Sequence, residues 1–265
     1  MNNILIVIRG GGDLATGVAV RLFQAGFPVI ILEVEHPTVI RLPVSFARAV
    51  YEGKAIVEGV EAVLIPSWEK AKDTVKQGKI PVLVNPEGCC IEKLSPAVLI
   101  DAILAKRNLG TKINQAPLVI GLGPGFTAGE DVDVVVETMR GHNLGRVYYQ
   151  GKAAPDTGVP GEVGGESKRR LLRAPADGKI IPLHKIGDLI KAGEVIAEVE
   201  GVPLKVEISG VLRGLIYPQS WVTRGMKVGD IDPRGVREYC FTVSDKARSI
   251  GGAVLEAICA YLNKK

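Results

Sequence analysis

Aromatic residues make up only 5% of this 265-residue chain. Surfaces that bind nucleic acid by stacking bases on side-chain rings need more, so a nucleic-acid partner is not expected. Cysteine is as sparse, with Cys89, Cys90, Cys240 and Cys259 and no CxxC spacing. This usage points to a reducing cytoplasm, and adjacent Cys89 and Cys90 are not spaced as metal ligands. The three histidines, His36, His142 and His184, are widely scattered, which argues against a histidine-rich zinc site. No Ser–His–Asp order and no nucleophile elbow is present, so hydrolase chemistry has no support. The apolar start Asn3–Ile8 is too short for a membrane span and lacks the cationic flank of a signal peptide, so no membrane association is expected. The net charge of +4 is mild and its carriers are interspersed, which neither demands nor excludes an anionic partner.

What is present describes a globular protein, 46% hydrophobic and 23% charged, long enough for two domains. Ile4–Ile8 is an uninterrupted apolar run, as in a parallel strand buried on both faces. Leu14, Val18 and Leu22 recur at helical spacing between Asp13 and Gln24, and Pro28–Leu32 supplies the next strand. Further strands are expected at Ala55–Ile65, Ile80–Val84 and Pro117–Leu122, with helices at Trp68–Gln77 and Pro96–Lys106. The alternation predicts a Rossmann-like open parallel sheet over residues 1–165. Pro155–Arg170 is dense in turn residues and reads as a solvated linker. Residues 236–265 are expected to form a strand, Glu238–Val243, and a C-terminal helix packing back on the α/β domain.

Two glycine-rich loops carry the candidate chemistry. In the first, Gly10, Gly11 and Gly12 precede Asp13, and Gly10, Gly12 and Ala15 fit G-x-G-x-x-G/A between a strand and a helix. Glu33 ends the second strand, where that fingerprint expects an acid for a ribose hydroxyl. A tight strand–helix turn without any dinucleotide fits the same residues, and the charge on Asp13 opposes a phosphate. The second loop holds Gly121, Gly123, Gly125, Phe126 and Thr127, with Pro124 stiffening it. It lies at a strand's carboxyl end, where open α/β sheets bind ligands. Asp131 and Asp133 beyond it read more readily as helix-start residues than as cation ligands. Glu137, Arg140 and His142 form a weaker cluster, Asp101, Lys106 and Asn108 read as a helix end with its cap, and Cys89 and Cys90 read as packing before thiol chemistry.

Ala176–Val199 and Ile208–Ile231 superpose without a gap at an offset of 32 residues, Gly178 on Gly210, Leu183 on Leu215 and Gly193 on Gly225. Two such halves predict a small barrel-sandwich over residues 171–235 that resembles the biotinyl/lipoyl-carrier fold. In that family the joining turn presents a lysine. Here the turn runs Val199 to Lys205 with Pro203 at the expected position, so no biotin or lipoate attachment is expected.

Over nearly its whole length the chain resembles the YqeB family. The resemblance rests on Arg9–Gly17, Asp101–Thr111, Gly121–Gly129, Glu137–His142 and Asp156–Gly161. It implies an accessory protein of selenium-dependent molybdenum hydroxylases, distantly similar to Rossmann-containing XdhC-type maturation factors. It transfers no established catalytic residues. The expected partner is then the molybdenum hydroxylase or its cofactor precursor, and a homo-oligomer is compatible with this role. A dinucleotide or molybdopterin-type ligand would meet the two loops, with Arg9 or Arg140 neutralising its charge. The alternatives are an NAD(P)-dependent oxidoreductase using Gly10, Gly12 and Glu33, and a non-catalytic scaffold or binding module.

Overall fold

The computed structural model describes residues 4–159 and 161–264. Asn3 of the apolar start, Pro160 of the Asp156–Gly161 motif, and the outermost residues of the 1–165 and 236–265 segments lie outside the described residues. The chain divides into two compact units.

The first unit takes the described residues of Met1–Pro37, Ser45–Thr157 and Val243–Lys265. Its elements in order are β1 (Ile6–Arg9), α1 (Asp13–Gln24), β2 (Val29–Glu33), α2 (Ala49–Glu52), β3 (Lys54–Val57), β4 (Val60–Leu64), α3 (Ala71–Lys76), β5 (Ile80–Val84), α4 (Ile91–Leu94), β6 (Val98–Asp101), β7 (Leu118–Leu122), β8 (Val134–Val136), β9 (Val147–Tyr148) and α5 (Asp245–Leu262). The strands form one sheet in the order β3-β4-β5-β2-β1-β6-β7-β8-β9. Ile6, Val7 and Ile8 are fully buried, as both faces of a central strand must be. Helices α1 and α5 approach closely because small residues line their crossing: a Cβ on Gly17 would lie 2.6 Å from the Ala247 Cβ.

The expected Rossmann-like open parallel sheet is therefore corrected. The sheet is mixed, since β3 pairs antiparallel with β4 and β8 antiparallel with β9. The β3–β4 hairpin turns through Glu58 and Gly59, both at positive φ, where one strand Ala55–Ile65 was expected. The connections from β6 to β7 and from β7 to β8 contain no α-helix, only a 3-10 turn at Ile113–Gln115. The helix expected at Pro96–Lys106 is instead β6 and a loop. Val98, Leu99 and Ile100 form a short apolar run buried between β1 and β7, and such runs do not reveal their period. The strand expected at Glu238–Val243 is a 3-10 turn, Arg237–Cys240.

The second unit takes Thr38–Val44 and the described residues of Gly158–Thr242. Its strands are β10 (Leu171–Arg173), β11 (Gly178–Pro182), β12 (Leu189–Ile190), β13 (Val195–Val199), β14 (Val202–Lys205), β15 (Gly210–Leu215), β16 (Trp221–Val222) and β17 (Lys227–Asp232). They form two four-stranded antiparallel sheets, β10-β17-β15-β12 and β14-β13-β11-β16, and not the biotinyl/lipoyl-like barrel-sandwich expected as an appendage to a Rossmann-like domain. The 32-residue offset is visible in the pairing. It carries β11 onto β15, β12 onto β16 and β13 onto β17, while β12 pairs with β15 and β16 with β11. Each half thus lends one strand to the other's sheet, and Ile180, Ile196, Leu212, Val228 and Ile231 close a shared core.

Candidate functional site

Strands β2, β1, β6 and β7 run parallel in the first unit, so their carboxyl ends share one edge. Register sets Arg9 beside Asp101, and Asp101 beside Gly121. Three loops leave this edge, and each is held by its neighbours.

Gly10 has φ +93° and donates its amide to the Leu32 carbonyl at 2.7 Å. A Cβ there would meet the Ala102 oxygen at 2.9 Å. The Gly11 amide donates to Glu33 Oε1 at 2.9 Å, and its carbonyl accepts from the Ala47 amide at 2.8 Å and Thr16 Oγ1 at 3.1 Å. Gly12 caps α1 with extended backbone, Asp13 occupies the first helical turn, and Ala15 is buried. The second oxygen of Glu33 accepts from the Val34 amide at 2.6 Å. Burial raises the Glu33 carboxyl above its ordinary range, against the lowering effect of these two backbone bonds. The acid expected to reach a ribose hydroxyl thus closes the loop on itself, and one of the amides a phosphate would use is already spent. These residues do not fit a dinucleotide.

In the second loop the glycines answer to packing. Gly121 lies under the Phe126 ring, where a Cβ would come within 2.6 Å, and Phe126 itself is buried. Gly123, at φ +78°, would press a Cβ to 2.5 Å from Thr138 Oγ1. Gly125, at φ +111°, would place one 2.6 Å from the Arg107 Cα. The Thr127 amide donates to Asp131 Oδ2 at 2.8 Å, and Asp133 Oδ2 accepts from the Val119 amide at 2.7 Å. Both acids serve the backbone.

The third loop, residues 102–111, expected from the sequence to be a helix end with its cap, joins the other two. Arg9 is buried, with Nη1 donating to Thr111 Oγ1 at 2.6 Å and lying 3.6 Å from Asp101 Oδ2. The same hydroxyl donates to Asp101 Oδ2 at 2.5 Å, so one threonine both accepts and donates. Arg9 Nη2 donates to the Pro86 carbonyl at 3.1 Å, and Asp101 Oδ1 accepts from the Ile103 amide. Asn108 Oδ1 accepts from the Gly110 and Thr111 amides at 2.9 and 2.8 Å, while its Nδ2 donates to the Thr111 carbonyl at 2.8 Å and to Asp131 Oδ1 at 3.5 Å. A continuous polar chain therefore runs from Arg9 through Asp101, Thr111, Asn108 and Asp131 to Thr127. The available signal was the Asp101…Asn108-x-Gly-Thr spacing, whose asparagine caps a turn and not a helix.

Leu104 and Lys106 in this loop hold φ of 60° and 63°, a conformation that side chains other than glycine adopt only where their surroundings impose it. Lys106 Nζ pairs with Asp156 Oδ2 at 2.7 Å. Arg107, flush against Gly125, is exposed and has no ion-pair or hydrogen-bond partner among the described residues. The edge thus presents, in Arg107, a cation without an acidic partner among the described residues, on a backbone that its neighbours fix.

The remaining candidates lie apart from this chain. Glu137 is buried, its oxygens accepting from the Met139 and Ala154 amides, each at 2.8 Å. Arg140 makes a bidentate pair with Asp245 at 2.7 and 2.8 Å, and His142 is exposed. Cys89 is exposed, whereas Cys90 is buried, with its thiol pushed up by burial. Among the described residues, no group of three or more His, Cys, Asp or Glu side chains is arranged to hold a metal ion. No helix among them is long and apolar enough to cross a membrane.

No family model matches the chain. Among solved structures, a succinylglutamate desuccinylase from Silicibacter sp. TM1040 is 13% identical with a TM-score of 0.27, over 86% of this chain and 84% of that one. An aspartoacylase family protein from Mesorhizobium loti is 9% identical with a TM-score of 0.26, over 87% and 85%. Scores this low carry no argument about fold or activity. The sequence likeness is of another order: 51% identity over 260 residues to "Uncharacterized protein YqeB" of Escherichia coli (strain K12), across 98% of this chain and 48% of that protein. Over the half of that relative's length which it spans, the chain is a close homologue of YqeB.

Proposed function

We propose that the chain is an accessory factor that helps to prepare or insert the molybdenum cofactor of a selenium-dependent molybdenum hydroxylase. The resemblance carried by the loop motifs supports this reading. The observation that carries it furthest is the preset edge described above, with Arg107 held out on a backbone fixed by Gly125 and by the Arg9-to-Thr127 chain. An exposed cation on a fixed backbone at the carboxyl ends of parallel strands suits capture of an anionic group. The cofactor or its precursor is cargo in this scheme. The chain's own residues bind and orient it, and no step of bond making is assigned to them.

Arg107→Ala tests the site. It is expected to leave stability within about 0.5 kcal/mol, as at exposed positions, and to weaken binding of a molybdopterin-type ligand about tenfold or more in titration. Unchanged affinity, or failure of the full chain to capture either such a ligand or the apo-hydroxylase in pull-down, overturns the proposal.

A second reading, a binding module without ligand chemistry, is favoured by the outer face of the β14-β13-β11-β16 sheet. Ile181, Leu183 and Trp221 of the second unit are exposed by 51%, 54% and 66%. Hydroxylase capture that survives Arg107→Ala but is lost in Ile181→Asp would favour this reading.

A further inference from the structure

The internal repeat gives the second unit two equivalent outer faces, and only one of them is covered. The 32-residue offset sets Ile181 on Arg213 and Glu198 on Asp230. Ile180, Val199, Leu212 and Ile231 point into the shared core. By alternation their neighbours Ile181 and Glu198, on β11 and β13, and Arg213 and Asp230, on β15 and β17, face outwards.

The face of β15 and β17 is closed, with Arg213, Asp230 and Asp232 all buried. Within the unit, the segment Thr38–Val44 and the turn Arg237–Cys240 lie against β15. The Leu215 amide donates to the Ile40 carbonyl at 2.8 Å, and the Cys240 thiol reaches the Leu212 carbonyl at 3.8 Å. Each acid on this face has a cation: Asp230 is held by Arg170, and Asp232 by Arg234 at 2.9 and 2.6 Å.

The face of β11 and β13 is bare. Register sets Trp221 beside Lys179, and Ile181 beside Glu198, which in turn lies beside Pro203. Ile181 and Trp221 are both more than half exposed. An exposed tryptophan and isoleucine on one sheet face are typical anchors of a protein contact. The Lys179 and Glu198 side chains make no ion pair or hydrogen bond among the described residues. Compared with its counterpart, this face lacks an apolar cover for Ile181 and Trp221 and a cation for Glu198. A second copy of the same face brings both, because Lys179 and Glu198 lie diagonally across Ile181's row and are opposite in sign.

We infer that the outer face of the β14-β13-β11-β16 sheet pairs with the same face of a second copy of this chain about a two-fold axis. Ile181 and Trp221 are its apolar anchors, and Lys179 of each copy meets Glu198 of the partner subunit. Such an isologous contact closes on itself as a dimer. It rests neither on Arg107 nor on the proposed maturation role.

Analytical ultracentrifugation of the full chain between about 1 and 100 µM tests it. The mass is expected to rise with concentration towards twice the 28.2 kDa of one chain. Ile181→Asp is expected to hold the chain as a monomer, with circular dichroism confirming its fold. Lys179→Glu and Glu198→Lys each set like charges together twice across the axis, so each is expected to raise the dimer Kd at least about tenfold. Mixed in equal amounts, these two variants form a heterodimer in which both pairs are again opposite in sign. Its association is expected to return to about that of the unaltered chain. A chain that stays monomeric over the whole range overturns the inference. So does a dimer that survives Ile181→Asp, or one whose two charge variants gain nothing on mixing. Capture of the hydroxylase through Ile181 by a chain that never dimerises overturns it in favour of the binding-module reading.

Discussion

Glu33 Oε1 accepts a hydrogen bond of 2.9 Å from the Gly11 amide, and this bond ties the end of β2 to the turn between β1 and α1. An acid that terminates a second strand is usually read as facing a ligand. Here its two oxygens satisfy two backbone amides.

Glu33 should leave a signature in the pH dependence of stability. Its folded-state carboxyl is raised, so over the range from its ordinary value of 4.5 upward the native state binds more protons than the unfolded state. Its contribution to the unfolding free energy accordingly falls as pH rises through the raised value. Glu33→Gln removes this slope. It also turns an amide donor towards one of the two backbone donors, at a cost of about 1–3 kcal/mol. Urea unfolding of both proteins between pH 4.5 and 8 checks both effects, and parallel curves would contradict the assignment.

Gly125 and Gly110 should respond differently to alanine, although both have positive φ, +111° and +92°. At Gly125 the added methyl meets the Arg107 backbone, whereas at Gly110 nothing lies within 4 Å. Gly125→Ala is expected to cost about 2–4 kcal/mol, strain and clash together, and Gly110→Ala about 1–2 kcal/mol from strain alone. Equal losses in chemical denaturation would mean that the third loop does not rest on the second.

Removing Asp101 leaves the Arg9 guanidinium buried without its carboxylate. Asp101→Ala is expected to destabilise by about 3–5 kcal/mol, and Thr111→Val, which deletes the hydroxyl between them, by about 1–3 kcal/mol. The double variant should fall well short of the sum, because the two residues serve one arginine.

Thiol labelling should divide the cysteines by burial. Cys89 and Cys259 are exposed, while Cys90 and Cys240 are buried. Burial pushes the Cys240 thiol up to about 11, which leaves almost no thiolate at pH 8. A chromogenic disulfide reagent is expected to titrate two thiols rapidly in the native protein and all four in denaturant. Rapid reaction of a third would show that one buried thiol is open to solvent.

The parts of this fold legible in the sequence were those dictated by local chemistry. Ile80–Val84 is a strand as expected, because a run of apolar residues between turn signals has few other homes. The final helix follows Ser244, whose side chain accepts the Ala247 amide, a cap readable from composition. What stayed hidden depends on distant neighbours. Val98–Asp101 became a strand because β1 and β7 flank it, and the glycines of the second loop are required by Phe126, Thr138 and Arg107. No spacing rule announces such contacts. Glu33 was expected to meet a ribose hydroxyl, and its role turned on which way its carboxylate faced.

The exchange of β12 and β16 between the two halves of the second unit ties the stability of each half to the other. Cut free, a single half would have an edge strand with no sheet to join and half of a core. Neither half is therefore expected to unfold while the other stays folded, and the handshake between them makes the unit melt as one.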